Sequence, residues 1–353
     1  MLHFPGPLLI GESFLLVIAL VHRPVDWPLL VALPPAVDPQ LRAMVECLCA
    51  QRPASRLLRA VPPDAVLMDP SPVPISVVIN TLNEEANLPY ALRSVQSWAA
   101  EVVVCDMHSD DATVAIARSF GARVCLHERL GFADPARAYA IAQARHDWVL
   151  VLDADELIPP ALARRLAGVV AEGSCDICWI PRLNYLLGAA LPGMGWGPDE
   201  DAQMRLFRRP AVEVTGDIHR FFHARPGARE RRLSYVPDGA IVHFNYIDLS
   251  HVLAKLNTYT SIEAAEARAQ GRRASLLWAL LVSLRREWWG RWLRGRGYRL
   301  GWRGLQLTVM MTIYRFVVQA KLAELQAGIS AEGVRHSYRQ EAERWLIDPD
   351  HTT

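Results

Sequence analysis

Three short runs decide the fold: Ile75-Ser-Val-Val-Ile79, Glu101-Val-Val-Val-Cys105 and Trp148-Val-Leu-Val-Leu152. Each is almost wholly aliphatic, with no alternation that would leave one face to water. That is the pattern of strands covered on both sides in a parallel sheet. Between them lie segments of helical character. Glu85–Trp98 follows the first run, Asp111–Phe120 the second, and Pro135–Arg145 precedes the third. Arg123–Leu126 reads as a further strand, and Gly121 sits where a helix C-terminus favours a residue without Cβ. Strands alternating with helices of about 10–15 residues predict βαβ units, with right-handed crossovers.

Outward from this centre the texture changes twice. Residues 1–72 form a prelude in which Leu15–Val21 and Leu29–Leu33 read as short strands and Pro39–Ala60 as a helix. Pro62, Pro63, Pro70, Pro72 and Pro74 then mark a linker. Downstream, Ile177–Pro181, Arg205–Arg208 and Ala240–Phe244 read as strands among loops rich in Gly, Pro and Trp, and from Leu249 the chain turns helical. The expected organisation is an extension over 1–72, an α/β catalytic domain over 73–250 and a helical region over 251–353.

Of the 353 residues 51% are hydrophobic and 21% charged, a globular balance. The net charge of +1 gives no global field toward nucleic acid, and no nucleic-acid partner is expected. Nearly all the positive charge is arginine, since Lys255 and Lys321 are the only lysines. Cysteines at 47, 49, 105, 125, 175 and 178 form no regular framework. Cys175-Asp-Ile-Cys178 has metal-like or redox-like spacing without a matching second pair, so buried thiols in a reduced compartment are the plainer reading. Pro7–Val21 lacks a basic region before it and contains Glu12, so no secretory signal is expected. With no apolar run of about 18–20 residues either, a cytoplasmic location is expected.

The chemistry is in the acids that end the strands. Asp106 follows one apolar run, and Asp153-Ala-Asp155-Glu156 another. In open α/β sheets ligands bind beyond the carboxyl ends of the strands. Carboxylates converging there suit a hard divalent cation such as Mg²⁺ or Mn²⁺, which shares its shell with substrate phosphates. The competing reading for any one of these acids is a cap on the following turn or helix.

The segments Ile75–Glu85, Val102–Thr113 and Trp148–Glu156, in that order, resemble the family 2 glycosyltransferases of the GT-A fold. Asp201–Arg209, Gly216–His219 and Ile241–Phe244 resemble the branch that contains lipopolysaccharide-core β-glucosyltransferases. The resemblance implies a Rossmann-like, mostly parallel sheet flanked by helices, and sugar transfer with inversion from a UDP-sugar. It puts Thr81, Asn83, Glu84, Glu85 and Asp106 at the uridine, and Asp155 at a Mn²⁺ or Mg²⁺ ion. Asp153 falls at the ribose or the metal, and Arg137 and Arg205 at the donor. Asp201 is the implied general base, with Asp199 and Glu200 as neighbours in competition. His219 and His243 stand within reach of the diphosphate, the metal or the acceptor. Two departures stand out. His219-Arg220 replaces the usual His-Glu, and Arg137-Ala138 replaces a basic residue followed by Asn. A non-catalytic nucleotide-sugar-binding protein on the same scaffold is the rival reading that these departures support.

In the tail, apolar Leu276–Leu284 leads into the basic, aromatic run Arg285–Arg299. Arginines among Trp and Tyr suit a lipid headgroup interface. A peripheral position on the inner face of the cytoplasmic membrane, with a lipid-linked glycan as acceptor, is expected. A polyprenyl phosphate or a peptide is the alternative acceptor.

Overall fold

The computed structural model describes residues 72–129, 134–214 and 222–347, together with 30–32 and 56–58. The chain divides into two compact units, Met1–Pro70 and Ser71–Thr353. In the first, β1 (Leu30–Ala32) pairs in parallel with β2 (Arg56–Leu58). β1 lies inside the expected strand Leu29–Leu33. β2 corrects the expected helix Pro39–Ala60 at its end, where ladder bonds to a partner distant in sequence outweigh local helical propensity. Leu15–Val21 lies outside the described residues.

The second unit is built on one mixed sheet. Its central strands are β3 (Val73–Thr81), β4 (Ala99–Asp106), β5 (Arg123–Leu126) and β6 (Trp148–Asp153). They run parallel in the order β5-β4-β3-β6. The three aliphatic runs form β3, β4 and β6, and Ile75, Val77, Val78, Ile79, Val103, Val104 and Leu150 are fully buried. The interleaved helices are α1 (Leu88–Val95), α2 (Thr113–Ser119) and α3 (Asp134–Ala142). α1 and α2 are shorter at both ends than expected, and α3 begins one residue early and ends three residues early; at the start of α2 the acid of the turn bonds to loop backbone instead of continuing the helix. Asp111 accepts from the backbone N–H of Thr113 and of Glu85.

Beyond β6 the sheet continues through β7 (Glu156–Leu157), β8 (Ile177–Leu186), β10 (Ala202–Arg208) and β14 (Ile241–Tyr246). β10 lies antiparallel between β6 and β8, and β14 runs parallel to the second half of β8. Smaller strands are β9 (Ala189–Ala190), β11 (Val212–Val214), β12 (Phe222–Ala224) and β13 (Glu230–Arg232). One helix escapes the sequence reading, α4 (Pro160–Glu172), although Pro160 starts it and Gly173 ends it at φ 59°.

The tail is helical: α5 (Leu249–Ala269), α6 (Leu276–Ser283), a wide π-helical segment (Leu284–Arg294), a 3₁₀ turn (Gly297–Leu300), α7 (Trp302–Gln326) and α8 (Ala331–Ile347). It clamps the loop between β8 and β10. The Arg303 Nε donates to the carbonyl of Leu187 at 3.0 Å, and the Arg291 guanidinium donates to the carbonyl of Met194. Met194, itself fully buried at φ 67°, meets Gly295 and Gly297 so closely that a Cβ at either would sit under 3 Å from it. Among the described residues no helix is long and apolar enough to cross a membrane.

Candidate functional site

Four elements deliver the site. β4 ends at Asp106, β6 at Asp153, and the turn after β6 carries Asp155 and Glu156. β8 and β10 face them from the antiparallel side with Arg182, Asn184 and Arg205, and Asp201 stands just before β10. Arg182 and Asn184 are two apart on β8 and so share a face of the sheet.

Asp106 is fully buried. It accepts from the Thr81 hydroxyl at 2.9 Å and from both the backbone N–H and the hydroxyl of Ser109, at 2.9 and 2.5 Å. The Asn83 N–H donates to the Ser109 hydroxyl, and the Asn83 side chain accepts from the N–H of Asp110, with Asn83 and His108 both in the left-handed region. Glu84 and Glu85 cross to the same loop, through Thr113 and Ala112. Thus Asp106 and the Thr81–Glu85 turn form one rigid pair of loops beyond the carboxyl ends of β3 and β4. Glu84 sits low in it. Burial raises its carboxyl above the usual range, and the charges of Asp155 and Asp153 add to this. Asn87 and Lys255 pull the other way.

Asp153 is gripped from two sides, by Arg137 at 2.6 Å and Arg205 at 2.5 Å. Burial alone would raise its carboxyl, but the two guanidiniums outweigh that and hold it well below the ordinary carboxylate range. Arg205 is itself 5% exposed and also binds Glu156, at 3.1 Å. Glu156, wholly buried at its side chain, accepts from Arg182 and caps the backbone N–H of Asp153. Arg205 therefore lies inside the acid cluster, not on a surface strand.

Asp155 is less occupied. Its Oδ2 lies 3.5 Å from His243 Nε2 and 3.7 Å from Lys255 Nζ. Burial opposes its ionisation, and His243 and Lys255 overcome this and lower it. The other ring nitrogen of His243 pairs with the Asn184 Oδ1 at 2.7 Å, and Asn184 Nδ2 donates to Asp201 at 2.7 Å. A continuous path thus joins Asp155, His243, Asn184 and Asp201. Asp201 also accepts from Arg182 at 2.9 Å and from Gln203 at 2.5 Å, and keeps 14% of its side chain exposed. Asp199 is exposed and Glu200 is spent on the backbone N–H groups of Gly195 and Gly197. His219 and Arg220 lie outside the described residues.

The donor set can be tested against a hard cation. The described residues contain no cluster of three or more His, Cys, Asp or Glu side chains able to hold a metal by themselves. Asp155 with His243 offers an oxygen and a nitrogen at an open edge. That fits an ion such as Mn²⁺ or Mg²⁺ that completes its shell with substrate oxygens. Asp153 has both oxygens committed to arginine. The thiols do not compete: burial pushes Cys178 up to about 12 and raises Cys175 as well.

Four residues of this constellation were given no role from the sequence: Glu156, Arg182, Asn184 and Lys255. Two polar residues at i and i+2 in an otherwise apolar β8 were the available signal for Arg182 and Asn184. For Lys255 it was rarity, as one of two lysines in the chain.

Residues 76–224 match the glycosyl transferase family 2 model. An uncharacterized glycosyltransferase of Rickettsia bellii is 26% identical over 260 residues, covering 71% of this chain and 86% of its own. The lipopolysaccharide core biosynthesis glycosyltransferase LpsC of Rhizobium meliloti is 25% identical over 266 residues, covering 72% and 94%. Among solved structures, S. aureus TarS superposes with a TM-score of 0.37 at 18% identity, over 48% of this chain and 36% of that one. This chain thus spans about a third of that protein. The glucosyl-3-phosphoglycerate synthase of Mycobacterium tuberculosis, solved with Mn²⁺ and UDP-glucose, gives a TM-score of 0.26 at 27% identity, over 31% and 43%. Residues 76–224, a mostly parallel sheet flanked by helices, are thus similar to a glycosyl transferase family 2 domain.

Proposed function

We propose that the family 2 glycosyl transferase domain of this chain transfers a sugar from a UDP-sugar, with inversion, to a lipid-linked glycan of the lipopolysaccharide-core kind. One observation carries the reading: Asp155 at the carboxyl edge of the parallel strands and Asp201 just before the opposing antiparallel strand are joined through His243 and Asn184. A donor site and a base site held in one network is what an inverting transfer needs.

In this reading the Thr81–Glu85 turn, built on Asp106, receives the uridine. Glu84 or a backbone carbonyl of that turn accepts the uracil N–H. Asp155, with His243 beside it, holds a Mn²⁺ or Mg²⁺ ion. When bound, that ion offsets the negative charge that develops on the UDP leaving group. Arg137 and Arg205, neutralised by Asp153 and Glu156, fix the floor of the site and hold the Asp153 carboxylate in place. Lys255 Nζ faces the same edge and supplies a second cation for the diphosphate. Asp201 takes the proton of the acceptor hydroxyl as that oxygen bonds to the anomeric carbon and the bond to UDP breaks. Arg182, Asn184 and Gln203 orient the Asp201 carboxylate, so little rearrangement is needed at the moment of transfer.

The relative named for lipopolysaccharide core biosynthesis supports the acceptor class, and the basic aromatic tail supports a place at the membrane surface. The test is calorimetric UDP binding with and without Mn²⁺, on the wild type and on Asp155→Ala. Metal-dependent binding that the variant loses is expected. Equal binding by both proteins would remove Asp155 from the donor site. Metal-dependent UDP binding with no transfer to any glycan acceptor would turn the reading toward a nucleotide-sugar-binding protein.

A further inference from the structure

We propose that α6, with Leu284 and Trp289 of the segment after it, is the face by which this protein rests on an anionic lipid bilayer. The inference deepens the lipid-linked acceptor proposed above and rests on it only for its purpose.

The apolar side chains stand out of the protein. Leu277 is 70% exposed, Trp278 67%, Leu281 53% and Trp289 66%. Leu276, Leu280 and Leu284 are exposed as well. So many large apolar groups on one short stretch is far from the scattered exposure of an ordinary surface. Trp288 and Trp292, in the basic aromatic run itself, are half-buried and stack at 6.1 Å, and Trp292 also meets Tyr298. The exposed face therefore centres on the apolar stretch Leu276–Leu284, joined by Trp289 from that run.

The charge around this face selects the occupant. Residues 268–322 contain eleven arginines and Lys321 against one acid, Glu287, a net +11 in a chain whose total is +1. Glu287 points inward, 2% exposed, and is paired with Arg291 and Arg315. The solvent side of the segment thus presents cations alone, with Arg272, Arg273, Arg285, Arg294 and Arg299 exposed. A two-fold dimer through this face would lay the basic belt against its own copy, because such an interface uses the same patch twice. Anionic phospholipid headgroups complement it, with the Leu and Trp side chains below them. α6 has eight residues, about 12 Å at the rise of an α-helix, so it lies in the interface plane and does not cross.

The full-length protein can be sedimented with phosphatidylcholine vesicles, with and without phosphatidylglycerol. Binding is expected only with phosphatidylglycerol, and it should weaken as salt is added. Leu277→Ser with Trp278→Ser, and separately Arg285→Gln with Arg294→Gln, should each lower partitioning about tenfold. The thermal midpoint should stay unchanged in both. Equal binding to both vesicle types, no binding to either, or a dimer in sedimentation velocity that Trp278→Ser dissociates would each overturn the inference. UDP calorimetry on the same preparations separates the two readings. Vesicle binding without UDP binding leaves this inference standing and sinks the donor site, and UDP binding without vesicle binding does the reverse.

Discussion

Arg205 reaches from β10 to the Asp153 carboxylate at 2.5 Å, across the antiparallel seam where β10 meets β6. The seam joins the parallel half of the sheet to the half that carries the candidate base, and this ion pair sits at its mouth. Asp153→Ala removes the carboxylate that Arg137 and Arg205 share and leaves Arg205 paired with Glu156. A loss of about 3 kcal/mol is expected in urea unfolding, because two buried cations lose a shared counter-charge.

The same pair sets an acid limb. The Asp153 carboxyl is held well below its ordinary value, so the unfolded chain takes up this proton first as pH falls. The stability it contributes is fully present above the unfolded value of about 3.9 and is lost as pH falls toward the folded one. Stability curves of wild type and Asp153→Asn should run parallel above about pH 5 and converge below about pH 4. A gap that widened on acidification would contradict the assignment.

Asp201 and Asp199 are separable by one experiment. Asp201→Asn keeps the shape and much of the bonding to Arg182 but removes the proton acceptor. Its kcat should fall by about 10²–10⁴ with KM for the donor little changed. Asp199→Asn, on an exposed side chain, should stay near wild type. Steady-state transfer assays on the two variants decide which acid is the base.

Lys255 makes a third test. Its Nζ is 3.7 Å from Asp155 and 3.2 Å from the Asn245 carbonyl, with the Tyr246 ring 5.5 Å away. Lys255→Met should raise the donor KM about tenfold, the value of one hydrogen bond to a charged group. Lys255→Arg should recover part of it. Binding of uridine, which lacks the diphosphate, should be the same in all three proteins.

Gly304, in the first turn of α7, packs on the 3₁₀ turn so tightly that a Cβ would lie 2.0 Å from the Gly297 carbonyl oxygen. Both sides are backbone and cannot swing away. Gly304→Ala should cost about 1–3 kcal/mol by overpacking, read as a lower thermal midpoint. Gly290→Ala, where nothing lies within 4 Å, is the matched control.

What the sequence made legible was what local pattern encodes. Aliphatic runs announced β3, β4 and β6, and acids at their ends announced Asp106, Asp153 and Asp155. The opposing half of the site was harder to see. Arg182 and Asn184 lie on β8 and meet Asp201 only because β10 folds back antiparallel beside them, 17 to 19 residues later. Glu156 looked like one more acid in a turn, and its burial between Arg182 and Arg205 depends on strands about 26 and 49 residues away. Lys255 comes from a helix about 100 residues beyond Asp155. The tail was legible in part. Composition located the basic aromatic belt, but which tryptophans turn outward depends on packing that periodicity does not encode.

The clamp on Met194 ties these parts together. Arg291 holds the loop from the tail side, and the same loop runs into Asp201 seven residues on. With the tail lying on a bilayer, the base would stand at a fixed height above the headgroups, set by backbone contacts too close to stretch. Acceptors would then be sorted by how far their hydroxyl projects from the membrane, much as a depth stop governs a drill, before any pocket had examined the sugar itself.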